Sequence, residues 1–270
     1  MTFVEKLRAA ADQNRSLLCV GLDPDPKQLP VSLAGRDNPT LYFLQHIIDA
    51  TADLACAYKP NFAFFGSLGE GGWPTLKATL AHIPPAIPVI IDAKVGDIGN
   101  TAEHYAQMFF EVLGADALTV NPYMGSDAVA PFLAYREKGV FLLCLTSNKG
   151  AADFEQQELA DGPLYLRVAR KACEWNSAGN CGLVVGATQA GAFAQLRQLA
   201  PAMPFLVPGV GAQGGDLEAV IRSGADSEGG GLLINASRAI LYASSGPDFA
   251  RAARQSAQQL HQQIAACRRP

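Results

Sequence analysis

Eight short runs of mainly apolar residues recur along the chain, and amphipathic segments separate most of them. Their first halves carry almost no charge, which is typical of parallel strands that are buried on both faces. The runs are residues 17–23, 55–61, 88–94, 117–123, 140–147, 181–187, 204–210 and 231–237. Eight alternating strand and helix units in 270 residues predict an α/β fold of the (β/α)8 TIM-barrel class, for which about 250 residues is typical.

The segments between these runs have the apolar periodicity of helices. Helices are predicted at residues 41–54, 99–113, 126–137, 162–176, 188–199 and 247–266, with shorter ones at 74–82 and 215–223. The amphipathic segment 1–16 predicts an extra N-terminal helix that caps the bottom of the barrel. No linker divides the chain, so residues 1–270 are expected to form a single barrel domain. An open doubly wound sheet is the alternative, although the first strand turn, GLDPDP, lacks a GxGxxG pattern.

Composition narrows the functional classes. The formal net charge is −4, and no basic run suggests a surface for nucleic acid or anionic membranes. No apolar run reaches the roughly 18 residues of a membrane span, and the first residues do not resemble a signal peptide. The six cysteines form no CxxC pair. We therefore expect a reduced, cytoplasmic protein, in which Cys19, Cys56, Cys144 and Cys181 are small core residues.

Polar side chains gather at the carboxyl ends of the predicted strands. They are Asp23, Lys59, Asn61, Asp92, Lys94, Asn121, Ser147, Gln213 and Arg238. In TIM barrels the active site lies on this face, because the loops that follow the strands build it. The asymmetry between charged and uncharged strand ends therefore predicts an active site at this end of the barrel.

The segment VIIDAKVGDIGNT brings charges directly after a buried run. Asp92 and Lys94 are two residues apart, so their side chains point the same way from a strand. Gly96 permits a turn, and Asp97 begins the next loop. Together with Lys59 on the neighbouring strand, these side chains alternate in sign, which keeps each of them ionised despite burial. One such pair alone would favour a structural ion-pair network, whereas several charges at one barrel mouth favour catalysis.

A second signal points to an anion. Arg238, in LINASRAI, is predicted at or just before the start of the last helix, where the helix dipole disfavours a cation unless an anion lies between them. The preceding loop, VPGVGAQGGD, contains Gln213 as an amide donor. These two loops form the usual phosphate site of a barrel. The alternative is a glycine-rich turn and a solvent-facing arginine.

These residues resemble a known family. DAKVGDIGNT is similar to the DxKxxDI..T signature of orotidine 5'-phosphate decarboxylases, and the resemblance is greatest to their longer bacterial subgroup. Other matching segments follow in the family's order: VGLDPDP, YKPNFAFF, TVNPYMG, LTSN, VPGVGAQGGD and INASRAI. Two positions depart from the pattern, since Val95 stands where the subgroup usually has Arg and Gly66 where Glu is common.

The resemblance implies a carboxy-lyase that converts orotidine 5'-phosphate to UMP in pyrimidine biosynthesis, without a metal or another cofactor. It implies that Lys59, Asp92, Lys94 and Asp97 form an alternating catalytic network in which Lys94 protonates C6. It also implies a homodimer. The substrate-binding residues that it implies are Asp23 and Lys59 for the ribose, Ser147 for the pyrimidine, Gln213 and Arg238 for the phosphate, Pro208 at the closing loop, and Ile98 and Thr101, which with Asp97 come from the partner subunit.

Three alternatives remain open at this point. A sister barrel enzyme, a Mg²⁺-dependent decarboxylase or aldolase acting on sugar phosphates, shares DxKxxD but has an acidic metal ligand where this chain has Lys59. A Schiff-base aldolase would use Lys59 or Lys94 as nucleophile and needs a lowered lysine pKa, which flanking carboxylates oppose. The third alternative is a catalytically silent phosphate-binding barrel.

Overall fold

Eight parallel strands form the centre of the structure, a computed structural model that describes residues 1–210 and 216–268. The strands are β1 (Leu18–Leu22), β2 (Ala57–Pro60), β3 (Ile90–Val95), β4 (Ala117–Val120), β5 (Gly139–Leu145), β6 (Cys181–Val185), β7 (Phe205–Val207) and β8 (Leu232–Ala236). They are hydrogen-bonded in the order β2-β1-β8-β7-β6-β5-β4-β3. Parallel bridges from Tyr58 to Val89 and from Asn61 to Asp92 join β2 to β3. The sheet therefore closes, which confirms the predicted (β/α)8 barrel.

Most of the predicted strands extend further than the observed ones at their carboxyl ends. The apolar pattern continues to residue 123, but β4 stops at Val120, and β7 stops at Val207 although the pattern continues to residue 210. Pro122 and Pro208 lie just beyond these ends. Proline has no amide hydrogen and cannot extend a ladder, so these strands end where the loops of the upper face begin.

Helices surround the barrel. They are α1 (Phe3–Asn14), α2 (Pro39–Thr51), α3 (Phe62–Gly66), α4 (Gly72–His82), α5 (Gly99–Gln107), α6 (Ser126–Leu133), α7 (Leu164–Trp175), α8 (Phe193–Leu199), α9 (Leu217–Gly224), α10 (Arg238–Leu241) and α11 (Phe249–Cys267). Every predicted helix is present. The sequence did not predict α3, α10 or the small hairpin that pairs residues 158–159 with 162–163, because such short elements have no measurable periodicity. No helix of the described segments has the length and hydropathy to cross a membrane.

Short helical turns lie between these elements. The 3₁₀ segments are Pro26–Gln28, Val31–Leu33, Gly69–Gly71, Lys149–Asp153 and Ala187–Ala192, and a π-helical turn at Met108–Val112 continues α5.

The N-terminal helix α1 closes the bottom of the barrel, as predicted. A capping box between Thr2 and Glu5 starts the helix. The ring of Phe3 enters the barrel and meets Phe141 edge to face, with 5.6 Å between ring centroids. A Cβ atom on Gly139 would lie 2.4 Å from that ring, so only glycine leaves room for it there. The helix thus supplies apolar packing at the amino-terminal end of the strands.

Only three charged side chains are buried in the described residues: Lys59, Asp92 and Arg197. Arg197 has a structural explanation. Its guanidinium stacks on Phe205 and donates to backbone carbonyls, which are those of Ala200, Pro201, Met203, Gly224 and Gly231. Burial lowers its pKa to about 10. It fastens the segments that enter β7 and β8, at the end of the barrel opposite to Lys59 and Asp92.

The four cysteines predicted as core residues, Cys19, Cys56, Cys144 and Cys181, are all buried and unpaired. Burial raises the pKa of the Cys19 thiol to about 12. These thiols therefore behave as small apolar groups, in agreement with the interpretation of the sequence.

Phe3→Ala is expected to lower the free energy of unfolding by about 3–5 kcal/mol, because it empties a packed position inside the barrel. Activity at the opposite face should change little. Val31→Ala, at a side chain that is 84% exposed, is the control and should leave the urea midpoint unchanged. Urea unfolding of the three proteins measures both effects. Equal midpoints for all three would contradict the role of α1 as the closure of the barrel.

Candidate active site

Asp92, the third residue of β3, is the centre of a row of alternating charges. Its Oδ2 accepts a hydrogen bond from Lys59 Nζ at 2.9 Å, and its Oδ1 accepts from Lys94 Nζ at 2.5 Å and from Thr119 Oγ1 at 3.0 Å. Lys59 Nζ also lies 4.0 Å from Asp23 Oδ1. The row Asp23–Lys59–Asp92–Lys94 therefore crosses the ends of β1, β2 and β3. This is the alternation of sign that the sequence predicted.

The row keeps Lys59 and Asp92 charged despite their burial. Burial would lower the pKa of Lys59, but Asp92 and Asp23 outweigh it and raise that pKa above its ordinary value. Burial would raise the pKa of Asp92, but Lys59 and Lys94 outweigh it and lower that pKa. Lys59 is buried, whereas 47% of the Lys94 side chain is exposed. The ammonium group of Lys94 is therefore the more exposed of the two, although the cleft at the barrel mouth is lined by Lys59 and not by Lys94.

The backbone that carries Asp92 and Lys94 is irregular. Ile91 pairs with Leu118 and Val95 with Val120, so three residues of β3 face the single residue Thr119 of β4. Lys94 has φ +50°, in the left-handed region that residues with a Cβ rarely adopt. The sequence predicted a plain strand here, and that prediction was wrong in this detail. A bulge of this kind re-aims side chains next to an active site.

Gly96 has a different role from the predicted one. A Cβ atom there would lie 2.9 Å from the carbonyl oxygen of Asn121. Glycine is therefore needed at position 96 because two backbone segments approach closely there. The left-handed backbone conformation of this segment is adopted by Lys94 instead.

Asp97 does not join the row within the chain. Its Oδ1 accepts a hydrogen bond from the amide of Ile98 at 2.8 Å. Among the described residues Asp97 has no ion pair with a lysine or an arginine, so the expectation that each charge has an opposite partner nearby does not hold for it. Ile98 and Thr101 lie beside it, exposed, at the start of α5.

The cleft at the barrel mouth extends from the charged row towards Arg238. The residues that line it are Asp23, Lys59, Asn61, Asp92, Pro208, Gly209, Val210, Asn235, Ala236, Ser237, Arg238 and Ala239. Arg238 is exposed and makes no ion pair in residues 1–210 and 216–268. It starts the four-residue helix α10 rather than the last helix, which begins at Phe249, so the predicted position was wrong in this respect.

Two further polar groups of this cleft were missed. Asn235 Oδ1 and Ser237 Oγ are buried and have no hydrogen-bond partner in the described residues. Both follow the apolar run of β8 in LINAS, which gives no sequence signal that they turn towards a cleft. Such groups are free to bind a ligand that enters it.

The other predicted site residues lie apart or outside the described residues. Ser147 follows β5 and is half-buried; its carbonyl accepts from Thr188 Oγ1 at 3.1 Å, and it does not line the cleft. Pro208 lines the cleft directly after β7. Gln213 lies in residues 211–215, outside the described residues. In the part of the chain that the structure describes, no group of three or more His, Cys, Asp or Glu side chains is arranged to hold a metal ion.

A sequence profile of the orotidine 5'-phosphate decarboxylase / HUMPS family matches residues 16–255. The chain belongs to this family. A relative from Azoarcus sp. (strain BH72) named orotidine 5'-phosphate decarboxylase is 54% identical over 99% of this chain and 100% of its own length. A relative of the same name from Dechloromonas aromatica is also 54% identical, over 95% and 96%.

Solved structures of the family agree with this fold. Leishmania donovani OMP decarboxylase superposes with a TM-score of 0.88 at 42% identity, covering 99% of both chains. Leishmania donovani UMP synthase superposes with a TM-score of 0.90 at 43% identity, covering 99% of this chain and 57% of that chain. The structural similarity to Leishmania donovani OMP decarboxylase therefore covers nearly the full length of both chains.

Asp92→Asn is expected to lower the free energy of unfolding by roughly 3 kcal/mol, because it leaves the buried Lys59 without its nearest carboxylate. Asp37→Asn, at an exposed side chain, is the control and should leave the urea midpoint unchanged. Urea unfolding at pH 7 measures the difference.

The difference in unfolding free energy between wild type and Asp92→Asn has an expected pH dependence. The lowered pKa of Asp92 means that its contribution is complete above the unfolded value of about 3.9 and is lost as the pH falls through the folded value. The raised pKa of Lys59 means that its contribution is complete below about 10.4 and is lost as the pH rises through the folded value. The difference between wild type and Asp92→Asn should therefore be constant between about pH 5 and 9. A steep change in this window would contradict the assignment.

Proposed function

We propose that this chain decarboxylates orotidine 5'-phosphate to UMP in pyrimidine biosynthesis, without a metal or organic cofactor. The observation that carries the proposal is the row Asp23–Lys59–Asp92–Lys94 at the mouth of a barrel of this family. Relatives that match nearly the whole chain carry the name of this activity. The membership of the family and the chemistry of the row thus support the same reaction.

The proposed chemistry is electrostatic. When the bond between C6 and the carboxylate breaks, CO₂ leaves and an electron pair remains at C6, where the pyrimidine ring cannot delocalise it. The ammonium group of Lys94 stabilises this developing charge and then donates its proton to C6. Asp92 holds Lys94 in position and, in this proposal, lies beside the substrate carboxylate. The binding energy of the distant phosphate contributes to the rate rather than only to the affinity.

The main alternative is a Mg²⁺-dependent sugar-phosphate decarboxylase or aldolase with the same barrel. That chemistry requires an acidic ligand at the end of β2. Here the residue is Lys59, and its ammonium lies between the carboxylates of Asp23 and Asp92. The positive charge that a metal would supply is thus carried by a side chain, which favours the reaction without a metal.

The first test follows the loss of orotidylate absorbance without added metal. The wild type should turn over in EDTA, and Lys94→Ala should lower kcat by at least about 100-fold, since general acids contribute 10²–10⁴-fold. Lys77→Ala, at an exposed residue of α4, is the control and should retain full activity. Inhibition by EDTA would favour the alternative, and a tenth of the wild-type kcat in Lys94→Ala would contradict its role as proton donor.

Substrate binding is proposed to follow the lining of the cleft. Asp23 and Lys59, which line the cleft, hold the ribose hydroxyls, and Arg238 at its rim binds the phosphate. The resemblance to the family adds Ser147 for the pyrimidine edge and Gln213 for the phosphate, although Ser147 does not line this cleft and Gln213 lies outside the described residues. The support for Arg238 is its exposed side chain at the rim of the cleft, without an ion pair in the described residues. A phosphate dianion is the partner that a guanidinium binds well.

Arg238→Ala is expected to weaken transition-state binding by about 1.5–3 kcal/mol, the worth of a hydrogen bond to a charged group. The loss should appear in kcat/KM for orotidine 5'-phosphate and be nearly absent with orotidine, which lacks the phosphate. Arg136→Ala, at the other end of the barrel, should affect neither substrate. Equal losses with both substrates would assign Arg238 to the structure of the loop.

A homodimer is proposed to complete the site, with Asp97, Ile98 and Thr101 reaching the partner's cleft. Two observations support it. Asp97 has no cationic partner in the described part of its own chain. Apolar side chains near it are exposed: Ile98, the next residue, by 55%, and Met124, which lies close to Gly96, by 45%. An exposed apolar patch beside an unpaired carboxylate fits an interface between subunits.

The composition and the free cysteines support a proposed cytoplasmic location and no binding of nucleic acid or membranes. All six cysteines are free thiols, which fits a reducing, cytoplasmic compartment. A net charge of −4 gives no basis for binding nucleic acid or an anionic membrane.

Mixing two inactive variants tests the dimer. Lys94→Ala and Asp97→Ala should each be nearly inactive alone. In a twofold dimer each site takes Lys94 from one chain and Asp97 from the other, so a mixed dimer has one intact site. When equal amounts are refolded together, about half of the dimers should be mixed, so about a quarter of all sites should have the wild-type composition. Activity near zero in a mixture whose subunits exchange would mean that Asp97 acts within its own chain.

A further inference from the structure

We propose that Thr119 is a positioning residue whose hydroxyl holds the bulge of β3, so that Asp92 and Lys94 face the substrate together. Its kinetic consequence rests on the proposed decarboxylation, whereas its structural consequence does not. Thr119 lies in the middle of β4, is 1% exposed, and touches the charged row through Asp92.

The hydroxyl of Thr119 uses its complete hydrogen-bonding capacity on β3. Its oxygen accepts from the amide of Ala93 at 3.0 Å and from the amide of Lys94 at 2.9 Å. Its hydrogen is donated to Asp92 Oδ1 at 3.0 Å. A hydroxyl has two lone pairs and one hydrogen, so all three are in use. One atom therefore binds the backbone of two bulge residues and the carboxylate of the third.

The bulge needs such a partner. Three residues of β3 face one residue of β4, so the regular ladder cannot supply a carbonyl for each amide. Lys94 also has φ +50°, and this conformation persists in a residue with a Cβ only when its surroundings hold it. Because Thr119 is buried, water cannot easily replace its hydroxyl. Loss of that hydroxyl should release Lys94 towards an ordinary backbone conformation and move its ammonium away from Asp92.

Thr119→Val and Thr119→Ser separate the hydroxyl from the shape of the side chain. Valine keeps the branched shape of the side chain and removes its hydrogen bonds, whereas serine keeps the hydroxyl. The control is Thr79→Val: Thr79 is equally buried, and its hydroxyl donates to the carbonyl of Thr75 within α4, at 2.8 Å. If Thr119→Val does not fold, Thr119→Cys replaces it, since a thiol is only a weak donor and acceptor.

The kinetic readout is the division between kcat and KM. Thr119→Val is expected to lower kcat by about 10- to 100-fold, as is usual when a group that orients a functional residue is lost, while KM and the affinity for UMP change little. Thr119→Ser should restore most of kcat, and Thr79→Val should leave it unchanged. A parallel loss of kcat, UMP binding and thermal stability would assign Thr119 to folding alone and overturn the proposal, as would serine being as slow as valine.

The structural readout does not depend on activity. Hydrogen exchange of the Ala93 and Lys94 amides should be slow in the wild type and in Thr79→Val, and clearly faster in Thr119→Val. Unchanged protection in Thr119→Val would overturn the proposal. Suppose that the Ala93 and Lys94 amides exchange as expected in all variants while the wild type has no decarboxylase activity. In that case the proposed function fails, and the role of Thr119 in holding the bulge stands.

Discussion

The active face depends on one buried carboxylate. Asp92 accepts hydrogen bonds from Lys59, Lys94 and Thr119, and it is the only carboxylate side chain buried in the described residues. A buried ion is tolerated only when its partners compensate for lost hydration. The two lysines do so, and in return Asp92 and Asp23 keep Lys59 charged in a place where burial favours the neutral amine. Removal of Asp92 therefore disturbs the whole row.

The two ends of the barrel divide stability and function between them. At the bottom, Phe3 of α1 fills the barrel and Arg197 fastens the entries to β7 and β8. At the top, charges, unpaired polar oxygens and the left-handed Lys94 replace apolar packing. Each of these features costs free energy, and the packed bottom offsets it. This division permits a reactive mouth on a stable scaffold.

The fold could largely be predicted from the sequence, because burial on both faces leaves nearly continuous apolar strands and the helices between them keep their periodicity. The barrel, the N-terminal closure and the strand-end location of Asp23, Lys59, Asp92 and Lys94 all followed from that pattern. The short helices α3 and α10 did not, since a single turn has no period to detect. The same limit misplaced Arg238 relative to the helix that it starts.

The sequence by itself determined which charged groups lie at the ends of neighbouring strands: two lysines and their carboxylates, in the order of the family. Only the tertiary structure decided how these groups are held. The bulge opposite Thr119, the φ of Lys94 and the close backbone approach at Gly96 arise from the pairing of β3 with β4. Asp97 remains unpaired in the described part of the chain. Such features depend on contacts between segments that are distant along the chain, and no local pattern of residues encodes them.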